Sequence, residues 1–95
     1  MEIPAHLQRK QLNVHSAFPA KYKEGLLAVA AAVENPEEFL VEIEEVRGPV
    51  YVFHLWHQSA FLPQNRGVMG NPGGKCRDVR FDPATRKIVS ILFWQ

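Results

Sequence analysis

The chain has 95 residues, of which 46% are hydrophobic, and its formal net charge is +1. This length predicts a single domain over residues 1–95, and the composition excludes a disordered chain. The near-neutral charge gives no general attraction to nucleic acid or to a membrane surface. Cys76 is the only cysteine, and neither a signal-peptide segment nor a run of 18 apolar residues is present, so we expect a cytoplasmic protein without an internal disulfide.

A polar lead-in over residues 1–19 precedes the clearest helical pattern, at residues 20–34. Apolar side chains recur there at the spacing of one helix face: Tyr22, Leu26, Val29, Ala30 and Val33. Asn35-Pro36 predicts the end of the helix, because a residue before proline is disfavoured in the α conformation.

Two strands are predicted next, at residues 38–46 and 50–58, with a turn at 47–49 between them. In the first strand, Phe39, Val41 and Ile43 alternate with glutamates, which indicates one buried face. The second strand is bulky on both faces. The connection over residues 59–74 lacks periodicity, and loops of this length are often functional.

Residues 75–81 and 87–94 predict a closing hairpin, in which Asp82-Pro83 favours a type I turn. In the last strand we assign Val89, Ile91 and Phe93 to the core. The other three apolar residues, Ile88, Leu92 and Trp94, are assigned to the opposite face. The order of elements predicts an α+β fold, with one main helix packed on a four-stranded antiparallel meander sheet.

The hairpin carries a family resemblance. Residues 79–89, Val-Arg-Phe-Asp-Pro-Ala-Thr-Arg-Lys-Ile-Val, with Gly73-Gly74 before them and an apolar strand after them, resemble cystatin-like domains. PepSY-type domains and immunity proteins of the nuclear-transport-factor-like superfamily are similar in the same region. The chain departs from them at Arg86, where these families usually carry glycine, and it lacks the extra helices of the last group. The resemblance implies inhibition, binding and dimerisation more than catalysis.

Three specific chemistries are disfavoured by the sequence. The stretch from Gly70 to Cys76 lacks the first glycine and the Ser or Thr of a phosphate-binding loop, and a strand follows it. His54 and His57 are three apart on a strand and point to opposite faces, so no metal site is predicted. Arg77 and Arg80 also point in opposite directions, which weakens a nucleic-acid surface. No cofactor is expected.

The most informative feature is the sheet face turned away from the helix. It is predicted to carry Val50, Val52, His54, Trp56, Ile88, Leu92 and Trp94, an apolar set that a monomer rarely leaves bare. Three explanations remain open: cover by the N-terminal arm and the long loop, a homodimer interface, or a site for a ligand or another protein. Within the 59–74 loop, Phe61, Arg66 and Met69 are further candidates for the interface.

These features favour a non-catalytic protein-binding module, of inhibitor or immunity type, that acts through the outer sheet face and the 59–74 loop and forms a homodimer or binds a protein partner. The alternative is a small pocket enzyme or ligand-binding protein of nuclear-transport-factor-like type that uses His54, His57 or Asp78 as acid or base. Cys76, His54 and Asp78 are a further catalytic candidate, as nucleophile, base and orienting acid, although a small buried cysteine is the commoner role.

Overall fold

The structure is a computed structural model, and it describes residue 3 and residues 5–45, 50–61 and 76–94. Within these ranges the regular elements are the helix α1 (Lys23–Ala32) and the strands β1 (Phe39–Glu45), β2 (Tyr51–His57), β3 (Arg77–Asp82) and β4 (Lys87–Phe93). Each strand pairs antiparallel with the next, in the order β1-β2-β3-β4. The predicted α+β fold with an antiparallel meander sheet is therefore confirmed. The predicted turn at 47–49 and residues 62–74 of the long connection lie outside the described residues.

The helix begins and ends close to the predicted positions. A 3-10 turn over Ala20–Tyr22 follows Pro19 and leads directly into α1. At the other end Asn35 adopts a left-handed conformation, with φ of 50°, immediately before Pro36. Proline disfavours the α conformation in the residue before it, and an asparagine tolerates the left-handed one, so the helix could not continue past residue 34. It ends slightly earlier, at Ala32, because Val33 is already extended.

The main core lies between α1 and one face of the sheet. The helix contributes Leu26 and Val29, and the sheet contributes alternate residues of β1, β2 and β3: Phe39, Val41, Phe53, Leu55, Val79 and Phe81. Gly25 allows the close approach of helix and sheet, because a Cβ atom at this position would lie 2.8 Å from the Phe53 ring and 3.0 Å from the Phe81 ring.

The N-terminal segment belongs to the folded body, a role that its sequence pattern does not predict. The Leu12 amide donates a hydrogen bond to the Phe39 carbonyl, and the Val41 amide donates to the Lys10 carbonyl, both at 2.9 Å. These bonds extend the sheet beyond β1 by a short bridge. Leu12 is 1% exposed and part of the main core. Residues 10–12 therefore cover the edge of β1.

The prediction that Val89, Ile91 and Phe93 of β4 belong to the core is wrong. Val89, Ile91 and Phe93 are 60%, 36% and 57% exposed. A bulge explains part of the error: Ser90 pairs with Arg80, but Ile88 pairs with Phe81, so that one residue of β4 is extra. Ile88 therefore lies on the helix side and packs against the core, and its predicted place on the outer face is also wrong.

The remaining cause is position in the sheet. Ile91 and Phe93 pair with Val79 and Arg77 and share their helix-side orientation. Among the described strands, however, β4 is the last in the sheet and has a neighbour on one side only. Apolar side chains at the margin of a sheet are therefore incompletely covered by the single helix.

Candidate functional site

A hydrogen-bonded network crosses the outer face of the sheet. His54 lies at its centre: Nδ1 is 2.7 Å from Asp78 Oδ1 and Nε2 is 2.8 Å from Glu44 Oε2. Register explains the contact with Asp78, which pairs directly with His54 across β2 and β3. The indole Nε1 of Trp94 donates to the same oxygen of Asp78 at 2.7 Å. One network thus connects β1, β2 and β3 with the residue that follows β4.

The geometry favours the charged form of His54. A neutral imidazole has a single N–H donor, whereas both nitrogens of this ring face carboxylate oxygens. Burial lowers the pKa of His54, but hydrogen bonds and charge interactions with Asp78 and Glu44 outweigh it, so the pKa lies above its ordinary value of 6.5. The network is therefore a charged clamp across the sheet.

Three aromatic side chains pack together at one end of the outer face. The rings of Trp56 and Trp94 meet edge to face with centroids 4.6 Å apart, and the ring centroid of Phe61 lies 5.6 Å from that of Trp56. Among the described residues, no hydrogen-bond acceptor reaches the buried Nε1 of Trp56. Trp94 is held by Asp78 as well as by this packing, so its ring has a fixed orientation.

The candidate interface residues differ in how far they are available to a partner. Val52 is buried within the chain, and His54, Trp56, Phe61 and Trp94 are half-buried. Leu92 is 54% exposed on the outer face, where it pairs with Asp78. Arg66 and Met69 lie outside the described residues. Leu92 beside Trp94 is therefore the most accessible apolar part of this face within the described ranges.

The N-terminal arm covers the β1 side of the outer face. The 3-10 turn Ala5–Leu7 contacts β1, and both Leu7 and Leu40 are buried. His6 Nε2 lies 3.2 Å from Glu42 Oε2. Of the three explanations for the apolar outer face, cover by the N-terminal arm thus holds for the β1 side. The β4 side is not reached by these contacts.

The structure brings together two members of the cysteine-based catalytic candidate, His54 and Asp78. His54 and Asp78 are in contact, but the described hydrogen bond of Cys76 Sγ is with the backbone amide of His57, at 3.4 Å. Burial raises the pKa of the Cys76 thiol above its usual value, more than the His57 amide and the charge of Arg77 lower it. A buried thiol that resists ionisation is poorly suited to nucleophilic attack.

His57 lies on the other face and is held by two residues that the sequence analysis did not identify. Its Nε2 is 2.9 Å from Glu38 Oε1, and its Nδ1 is 2.7 Å from Ser59 Oγ. The Ser59 amide also donates to Nδ1, so this nitrogen is an acceptor and Nε2–H donates to Glu38. Phe39 pairs with His57 across β1 and β2, and this register brings the preceding residue, Glu38, close to the His57 ring. The contact depends on that register, because a shift of one residue would turn the side chains to the opposite face.

The basic residues of β3 lie on opposite faces, as their spacing predicts. The Arg77 guanidinium lies 4.4 Å from the ring centroid of Phe93 and 5.1 Å from that of Phe39, on the helix side. Arg80 is exposed on the outer face. Arg77 thus spans β4 and β1 through cation–π contacts and does not contribute to a single basic face with Arg80.

In the described ranges, no group of three or more His, Cys, Asp or Glu is arranged to hold a metal ion. No helix among the described residues has the length and apolar character needed to cross a membrane. No protein-family model, curated protein or solved structure matches the chain.

Proposed function

We propose that this protein is a cytoplasmic, non-catalytic protein-binding module of inhibitor or immunity type, with a cystatin-like sheet, which forms a homodimer and takes a protein partner on its outer sheet face. The observation that carries the proposal is Leu92, a large apolar side chain exposed beside the fixed indole of Trp94. Aromatic side chains with a polar tip are frequent anchors in protein interfaces. Phe61, in the loop over residues 59–74, packs on Trp56, which packs on Trp94.

Pre-organisation supports a binding role. Trp94 is held by Asp78, and Asp78 is held by His54, so little side-chain freedom remains to be lost when a partner binds. Glu42 and Glu44 lie on the same face, with 43% and 57% of their side chains exposed. These charges favour a partner that presents a basic side chain next to an apolar one.

The occupation of both histidines favours binding over catalysis. A general base needs a ring nitrogen that reaches the substrate, either directly or through one water molecule. Both nitrogens of His54 are bonded to carboxylates, and those of His57 are bonded to Glu38 and Ser59. The small pocket enzyme that uses His54, His57 or Asp78 remains the alternative to the proposal, and it requires one of these bonds to open.

Two matched leucine variants test the proposal. Leu92 lies on the outer face, whereas Leu27 lies on α1 in the other layer and is 48% exposed. The purified chain is used as bait, and the partner that it retains is identified, purified and titrated against the wild type, Leu92→Glu and Leu27→Glu. We expect Leu92→Glu to weaken binding by at least ~10-fold and Leu27→Glu to change it less than ~2-fold. Equal effects of the two substitutions would place the binding surface elsewhere.

A further inference from the structure

Among the described residues, residues 10–12 bond to the β1 edge of the sheet, whereas no strand pairs with the β4 edge. This open edge is strongly apolar. In β4, Val89, Ile91, Leu92 and Phe93 are all at least 36% exposed. Only Lys87, at the beginning of the strand, is charged, and the strand contains no proline. Natural sheets usually protect an edge with charge, proline or a covering segment. From this contrast we propose that a second copy of the chain pairs with β4 through its own β4, to form one continuous eight-stranded sheet.

The backbone of β4 has hydrogen-bonding groups available for such pairing. The Trp94 amide donates to the Cys76 carbonyl, so the backbone groups of Trp94 face β3. Inward and outward groups alternate along an antiparallel strand. The backbone N–H and C=O groups of Ile91 and Phe93 therefore point away from β3, toward the open edge. These are the groups that an added strand would bond.

Two-fold symmetry selects a register in which the two copies match. If Ile91 lies at the two-fold axis, it pairs with Ile91 of the second copy, and Phe93 lies opposite Val89 of the second copy. Leu92 then lies opposite the small Ser90. All four exposed apolar residues of β4 find a neighbour in this arrangement, as an isologous interface requires. Charge does not oppose it, because residues 88–93 carry none.

The covered edge explains why the assembly would end at two copies. An edge-pairing chain that is open on both sides forms filaments, whereas one that is open on a single side closes as a dimer. Residues 10–12 bond to β1 at Phe39 and Val41, and the rest of β1 is rich in glutamate. The inference rests on the homodimer of the proposed function, and it adds where the two copies meet.

Amide hydrogen exchange of the wild-type protein tests the interface without any substitution. We expect the oligomer mass to rise with concentration from the 10.8 kDa of one chain to twice that value in light scattering. The Ile91 and Phe93 amides should become protected over the same concentration range. The Trp94 amide, which bonds to Cys76, is the internal control and should be protected at all concentrations.

Opposite charges at one position give a second test. Ile91→Lys and Ile91→Glu should each be monomeric, because two-fold pairing brings like charges together, and an equimolar mixture should form a heterodimer. Recovery in the mixture shows that both variants are folded. A dimer in which the Ile91 and Phe93 amides exchange as fast as in the monomer would refute β4 pairing and leave the homodimer standing. A monomer at every concentration would refute both, but not the binding of a partner at Leu92.

Discussion

The β1 and β4 edges of the sheet have the same length but differ in pairing and in charge. β1 is bonded to residues 10–12 over its first half and carries glutamates over its second half. β4 has no described strand beyond it, and its sequence Lys-Ile-Val-Ser-Ile-Leu-Phe is almost uncharged. The difference teaches that the N-terminal segment is a structural part of the sheet, and that within the described residues β4 is the edge with unpaired backbone groups and exposed apolar side chains.

The outer-face network links the two edges. Glu44 belongs to β1, His54 to β2 and Asp78 to β3, and Trp94 follows β4. Charge-assisted hydrogen bonds are stronger than neutral ones, and a chain of them resists shear between strands. The network therefore holds Trp94 in position next to the exposed Leu92, so that the candidate binding surface depends on residues from across the sheet.

The largest expected effect on stability comes from a substitution in the segment that covers the β1 edge. Leu12→Ala should lower the free energy of unfolding by about 3 kcal/mol, because the buried leucine leaves a cavity in the core. Leu92→Ala, at the open edge, should lower it by less than about 1 kcal/mol in the monomer, since the side chain is already exposed. Equilibrium urea unfolding at low protein concentration measures both. Similar losses for the two leucines would mean that the edges are equivalent.

An intermediate effect concerns the link between the edges. Burial lowers the pKa of His54, but its two carboxylate partners, Asp78 and Glu44, raise it by more, so the pKa lies above 6.5. A raised pKa contributes stability that is fully present below 6.5 and is lost as the pH rises through the folded-state pKa. His54→Gln should lower the free energy of unfolding by about 1–2 kcal/mol just below pH 6.5, where the ring is charged in the wild type, and by less at higher pH.

Urea unfolding of the wild type and of His54→Gln at a series of pH values checks this prediction. The other histidines are common to the two proteins, so the difference between their curves isolates His54. A difference that does not change with pH would contradict a protonated ring between the carboxylates.

The smallest expected effect sharpens the contrast at the open edge. Val89→Lys should change the unfolding free energy of the monomer by less than about 0.5 kcal/mol, because this side chain is largely exposed. If β4 pairs with a second copy, we expect the wild type to gain stability at high concentration and the variant not to gain it. Thermal unfolding over a range of concentrations measures both quantities. A large loss of stability in the dilute variant would show that Val89 is part of the monomer core.

Much of the fold could be predicted because the helix and the strands have different hydrophobic periods. The spacing of Tyr22, Leu26 and Val29 identified α1, and alternation in β1 identified the buried Phe39 and Val41. The error in β4 has a physical cause. A bulge inserts one residue and shifts the alternation of inward and outward side chains, and no local feature of Ile88-Val89-Ser90 predicts it.

The candidate site was only partly predictable. His54, Asp78, Trp56 and Trp94 were expected near one another because they fall on one face of adjacent strands. Their hydrogen bonds were not, since the partner of a ring nitrogen depends on register and on rotamers. Glu44 and Glu38 resemble other exposed glutamates in the sequence, and nothing local marks them as partners of histidine.

The sequence by itself determined the class of fold, because periodicity and turn residues act over short distances along the chain. It also determined that apolar surface exceeds what a single helix can cover. Only the tertiary structure decided where the excess lies. Pairing of residues 10–12 with β1, the bulge in β4 and the position of β4 at the margin are long-range or register-dependent events. Because of them, the exposed apolar residues of the sheet lie along β4 and not in the middle of the outer face, where the sequence predicted them.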